Sequence, residues 1–126
     1  MPELEPLQAT RIAADAATLD VARWTAGALA LRTAPDEVLL IGGSLVDIAD
    51  PYAIVVEDGG WCGAWMPAAQ ADPFLRSAAA WPMRDDRPAF VQGMIAGLPL
   101  KVWLEDNRVL FIVPAAFAAE FAERSS

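Results

Sequence analysis

The stretch FVQGMIAGLPLKVWLEDNRVLFIVP, residues 90–114, decides the fold. Residues 90–96 read as a strand with Gly93 inside it, a position that marks a bulge. Gly97-Leu98-Pro99 turns the chain. Residues 100–105 then alternate, with Leu100, Val102 and Leu104 on one face and Lys101, Trp103 and Glu105 on the other. Glu105-Asp106-Asn107-Arg108 is a hairpin signal, because Asp and Asn accept backbone angles that most residues avoid. Residues 108–113 form the last strand of the run, and Pro114 stops it. So much apolar strand in one place predicts a sheet built to be packed against something.

Working toward the C-terminus, residues 115–124 read as a helix. Phe117 and Phe121 are four apart on one face, with Glu120, Glu123 and Arg124 facing water. Working back, residues 82–89 are a polar loop whose positions 84–87 are all charged. Before it, Phe74, Ala78 and Trp81 repeat at helical spacing. Pro73 suits only a first turn, so the helix is predicted to start with Asp72 as N-cap and Pro73 at the first helical position. The preceding PAAQA reads as a short turn of its own.

Residues 61–66 and Ile54-Val55-Val56 are strands, separated by Asp58-Gly59-Gly60. Leu29 and Leu31 share a strand face, and a turn at Ala34-Pro35-Asp36 leads to a strand over residues 38–41. Residues 43–51 form a connection with room for a helical turn. Residues 11–24 read as weakly helical or irregular, and residues 1–10 as a loose arm. The prediction is one α+β domain over residues 11–126. Its mostly antiparallel sheet carries helices on one face, as two strand-rich units each followed by a helix.

Composition sets limits on function. The chain has 126 residues, 56% of them hydrophobic, above the usual 45–50% apolar share of soluble domains. Its 26 alanines soften that excess. Five tryptophans do not, since each buries a large area when enclosed and the type is enriched at interfaces. The net charge of −8, with Lys101 the single lysine, argues against a nucleic-acid or anionic-membrane partner. MPELEPLQAT is too acidic for a secretory leader, no apolar run is long enough to span a bilayer, and Cys62 is alone. The expected compartment is the cytoplasm.

The catalytic vocabulary is short. Without histidine there is no imidazole base, no Ser-His-Asp triad and no histidine metal ligand. One cysteine cannot build a zinc site, and Cys62 has no cation beside it in sequence, so it reads as an inert thiol. Asp36-Glu37, Glu57-Asp58, Asp85-Asp86 and Glu105-Asp106 are adjacent acids in turns. Acid–base catalysis needs two carboxyls held across a cleft in different environments. Gly42-Gly43 and Gly59-Gly60 match no phosphate-binding pattern.

The binding candidates are Trp61, Trp65, Trp81, Met66 and Arg84. Tryptophans with a neighbouring methionine suit a partner surface or a flat ligand. Trp61 and Trp65, four apart on a strand, share a face, and both recognition surface and ordinary core fit them. Trp103 and Trp24 read as core. Arg84 and Arg87 flank Asp85-Asp86, as an anion site or as a solvated charge cluster.

APDEVLLIGG, AIVVEDGGWCGAWMP and the glutamine strand, turn, apolar hairpin and VPAAFA of residues 90–119 carry a likeness. Over residues 28–124 the chain resembles the gamma subunit of heterotetrameric sarcosine oxidase, which is related to the folate-binding domain of the glycine-cleavage aminomethyltransferase. The resemblance implies an α+β domain in an accessory role beside a flavin-containing oxidase, with no cofactor of its own. The chain is shorter than that family before residue 28, and no residue matches the acidic catalytic position of the aminomethyltransferases, so none is carried over. Two functions follow. One is a non-catalytic accessory or interaction domain in a homo-oligomer or with a protein partner. The other is a small-ligand domain with a tryptophan-lined pocket for a folate-like flat heterocycle.

Overall fold

The computed structural model describes residues 2–126. Strands β1 (Glu5–Pro6) and β2 (Ala9–Ala13) lead to helix α1 (Ala16–Asp20). Five strands follow: β3 (Arg23–Trp24), β4 (Leu29–Ala34), β5 (Glu37–Ile41), β6 (Leu45–Asp47) and β7 (Ile54–Glu57). Then come β8 (Trp61–Pro67), α2 (Ala68–Ala78), β9 (Ala89–Ile95), β10 (Leu98–Leu104) and β11 (Arg108–Pro114). A 3₁₀ turn, Ala115–Phe117, leads into α3 (Ala118–Arg124). The α+β class and the antiparallel sheets are as expected.

Where the sequence predicts a single domain, the chain divides into two compact units: Leu7–Gly59, and the residues up to Pro6 together with Gly60–Ser126. The expected loose arm instead supplies β1 and the start of β2, where Ala9 is buried. Residues 11–24, expected to be weakly helical or irregular, contain the rest of β2, a five-residue helix and β3. The connection over 43–51 holds strand β6 rather than a helical turn. These short segments carry too little period to declare themselves. Pairing fixes them: β2 lies between β5 and β7, and β6 pairs with β3.

In the larger unit the sheet order is β1-β8-β11-β10-β9, antiparallel throughout. One face buries Met66, Val91, Val102, Leu104, Val109, Phe111 and Val113 beneath Ala71 and Leu75 of α2 and Phe121 of α3. Phe74 and Phe121 meet edge-on at 6.0 Å and Phe111 lies 5.6 Å from Phe121, geometry that rings favour. Both helices thus cover the same face of one sheet. As expected, each helix follows a run of strands in the chain, β8 before α2 and β9–β11 before α3. β8 precedes α2 in the chain, yet pairs with β11 more than forty residues later.

The β9–β10 hairpin turns at Ala96-Gly97, one residue earlier than the sequence suggests. Both residues have positive φ, +52° and +77°, the requirement of a two-residue type I′ turn. The Asp106-Asn107 turn forms as expected, closed by Glu105 N–H donating to the Arg108 carbonyl at 2.9 Å.

Helix α2 starts at Ala68, not at Asp72, and holds Pro73 in its interior. The Ala68 N–H, orphaned at a helix start, donates to the Asn107 carbonyl at 3.0 Å. A backbone acceptor from the β10–β11 turn therefore does the work that a capping side chain would do locally.

In the Leu7–Gly59 unit the sheet order is β4-β5-β2-β7. Ile12, Val38 and Leu40 bury one face against Leu19 of α1. β4 and β5 turn at Pro35-Asp36, as expected, and β7 forms an edge.

Candidate functional site

The five binding candidates do not form one surface. Strand alternation sends Trp61, Gly63 and Trp65 to one side of β8, and Cys62, Ala64 and Met66 to the other. Met66 is 5% exposed, opposite Val109 and inside the helix-covered core. Trp81 lies beyond the end of α2, half-buried on that same side, with its six-membered ring against Gly93. A Cβ on Gly93 would stand 2.8 Å from the Trp81 ring, so the missing side chain is what admits the indole.

Arg84 sits in the exposed loop. Its Nε donates to Asp86 Oδ1 at 2.8 Å and its Nη2 to Asp86 Oδ2. That fork raises the Arg84 pKa and lowers that of Asp86, chiefly through the side-chain hydrogen bonds. Arg76 with Asp85 (3.7 Å) and Arg87 with Asp72 (3.9 Å) complete a neutralised loop. The guanidinium face that would take an anion is given to Asp86.

On the side away from the helices, β8, β11, β10 and β9 align Trp65, Leu110, Trp103 and Phe90 in one cross-strand row. Leu110 is buried, and the three aromatic residues are half-buried. Arg108 lays its guanidinium over the Trp65 ring, 3.6 Å from the centroid, and donates from Nε to Glu105 Oε1 at 2.8 Å. Glu105 Oε2 accepts from Trp103 Nε1, also at 2.8 Å. These contacts link Trp65, Arg108, Glu105 and Trp103 through cation–π and charge-assisted hydrogen bonds.

Both donors hold Glu105 below its ordinary carboxylate pKa, the Arg108 hydrogen bond first and the Trp103 bond second. An ionised carboxylate with both oxygens engaged is an organiser of side chains and not a free base. Nearby, Lys101 donates to Gln92 at 2.9 Å, with its ammonium 5.1 Å from the Trp61 ring centroid. Beside this cluster, Pro88, Trp103, Glu105, Asp106 and Asn107 line an open hollow of about 550 Å³. Trp61, Trp65 and Trp81 are not in its lining. Among the described residues no three His, Cys, Asp or Glu side chains gather to hold a metal ion.

Sequence reasoning placed Lys101, Trp103 and Glu105 on one face but gave Trp103 to the core and Arg108 no role. The Glu105-x-x-Arg108 spacing across a hairpin turn was the available signal.

The Leu7–Gly59 unit offers a different feature. All four residues of β7 are exposed, Ile54 at 61%, Val55 at 48% and Val56 at 39%. Among the described residues the other large exposed apolar side chains are Val21, Val46, Tyr52 and Met94, and of these only Met94 lies outside that unit. The Ile-Val-Val run was legible as a strand, but its edge position depends on pairing. No helix among the described residues is long and apolar enough to cross a membrane. In comparisons with known proteins, no family model matches this chain and no curated protein matches it.

Proposed function

We propose that this chain is a non-catalytic accessory or interaction domain. It works packed in its own oligomer or beside a flavin-containing oxidoreductase, as the resemblance to the sarcosine oxidase gamma subunit implies. The observation that carries the reading is the concentration of exposed apolar side chains in Leu7–Gly59: Val21, Val46, Tyr52, Ile54, Val55 and Val56. Scattered single apolar residues are ordinary on a protein surface, but three consecutive ones on an edge strand are a liability unless something covers them. The test is gentle purification of the tagged protein from its native host, with mass spectrometry and visible absorbance of what accompanies it. A stoichiometric flavoprotein is the expected companion. Recovery of the chain alone, as a monomer without flavin, removes the accessory reading.

One observation favours a second reading, a binding site for a flat heterocycle. The hollow at the β10–β11 turn brings Pro88 and Trp103 together with Asp106 and Asn107, apolar residues with polar ones beside them. Titration with folate, followed by tryptophan fluorescence in the wild type and in Trp103→Phe, tests it. Saturable quenching lost in the variant supports a ligand site, and absence of quenching removes it.

A further inference from the structure

The outer edge of β7 has a backbone polarity that can be read from its pairing with β2. Asp58 N–H donates to the Ala9 carbonyl at 3.0 Å. Hydrogen-bonded pairs alternate along an antiparallel ladder. With Arg11 opposite Val56 and Ala13 opposite Ile54, residues 54, 56 and 58 turn their backbone groups toward β2. Val55 and Glu57 turn theirs outward. The β2–β5 side agrees: Gly42 N–H to the Gln8 carbonyl and Ala14 N–H to the Asp36 carbonyl assign the even residues of β2 to β5, leaving the odd ones for β7.

The geometry points to a second copy of this chain as the occupant of that edge, paired antiparallel about a two-fold axis at Val55. Outward residues must face outward residues, so only a few registers exist. A centre at Glu57 sets carboxylate against carboxylate. A centre at Val56 sets Val55 against Glu57 and Ile54 against Asp58. A centre at Ile54 puts both of its hydrogen-bonded pairs on Ala53, whose N–H already donates to the Asp50 carbonyl at 3.2 Å, whereas a centre at Val55 calls on that N–H only in its outer pairs. With the centre at Val55, the two valines exchange both of their hydrogen bonds, and each Glu57 N–H faces an Ala53 carbonyl, while the Ala53 N–H stays with Asp50. Ile54 of each copy then lies beside Val56 of the other. All three exposed apolar side chains gain apolar neighbours, and no acid faces an acid.

Several of the usual guards are missing from this edge. β7 has no lysine, no proline and no bulge, and Glu57 is its only charge. A four-residue strand covers far less than the roughly 1,200–2,000 Å² of a standard interface, so the dimer is reversible and concentration-dependent. This pairing rests on the oligomer part of the proposed function and gives it a surface and a register.

Sedimentation of the full chain from micromolar to millimolar concentration tests the association. The average mass is expected to climb from the 13.5 kDa monomer toward twice that value. Ile54→Lys should weaken dimerisation about tenfold or more, the equivalent of one buried apolar contact replaced by a repelling charge. Val55→Pro, which removes an outward N–H and no bond to β2, should do the same. Circular dichroism of both variants confirms that they fold.

Register is read by cross-linking in a Cys62→Ser background. Val55→Cys places two thiols on the axis, at the roughly 5.5 Å Cα separation of a hydrogen-bonded pair, within disulfide reach. Glu57→Cys places them four residues apart, about 13 Å. Rapid oxidation of the first and not the second supports the pairing. A wild type that stays monomeric throughout overturns it, as does equal cross-linking of both variants. A dimer unaffected by Ile54→Lys and Val55→Pro also overturns the β7 edge, while leaving self-association itself intact. Co-purification with a flavoprotein decides the accessory reading separately.

Discussion

At Gly93 one hydrogen atom decides the packing of an indole. The residue has φ +157°, and a Cβ there would lie 2.8 Å from Trp81 Cζ3. Gly93→Ala is therefore expected to cost about 1–3 kcal/mol, the usual penalty for forcing extra volume into a packed site. A lower urea midpoint and altered tryptophan emission would report it. Gly59→Ala is the matched control, since nothing lies within 4 Å of its added Cβ, and it should leave the midpoint nearly unchanged. Glu105 is the other residue whose chemistry predicts a measurement. Its folded pKa is depressed by the hydrogen bonds from Arg108 and Trp103. The stability this contributes is complete above the unfolded glutamate value of about 4.3, and is lost as pH falls through the lower folded value. Glu105→Gln should flatten that acid limb of the urea midpoint against pH, and the Trp103 emission change that accompanies acidification should vanish with it. The Glu105-x-x-Arg108 spacing is legible across its hairpin turn, but the Gly93 partnership is not. Gly93 announced a special backbone position but not the ring upon it, because Trp81 reaches it from a bend twelve residues earlier.

Helix α2 shows how a tertiary contact overrides a local rule. Asp72-Pro73 looks like a helix start, because proline at the first helical position gives up an N–H that has no partner there. In the structure Pro73 is the sixth residue of the helix, where the missing N–H would have served the Ala69 carbonyl. The helix begins early because Ala68 is tied to Asn107, and because Ala71 and Leu75 are both fully buried. Pro73 itself faces solvent. Pro73→Ala should stabilise the protein by about 1–2 kcal/mol, the restored helical bond and propensity less the greater freedom of the unfolded chain. Thermal unfolding is expected to move up by a few degrees. No change, or a loss, would mean that the proline ring fixes the trajectory out of β8. By contrast, the pairing of β10 with β11 is legible from the alternation of β10 and the chemistry of the turn, because a hairpin has its partner strand next to it in the sequence.

At the scale of the whole molecule, what the sequence conceals is which strands sit at edges. β5 and β7 both read as short apolar runs, Val38-Leu39-Leu40-Ile41 and Ile54-Val55-Val56. β5 lies between β4 and β2 with all four of those residues buried, whereas β7 has one neighbour and is exposed throughout. Local pattern cannot separate them, since both strands satisfy the same preference for β-branched and aliphatic side chains. Native-state hydrogen exchange can. Amides of β11, between β8 and β10 with residues 109–113 all buried, should be among the slowest, opening only with global unfolding. Within β7 an alternation is expected at concentrations where the chain is monomeric. Ile54 and Val56, bonded inward to β2, should exchange slowly, and Val55 and Glu57 quickly. Raising the concentration should slow Val55 and Glu57 selectively, because an edge-paired second copy supplies the acceptors they lack. Uniform exchange along β7 would deny the inward–outward polarity itself. Alternation without a concentration dependence would keep the polarity and remove the second copy. In that case the exposed Ile54-Val55-Val56 edge is left to a partner that is not this chain.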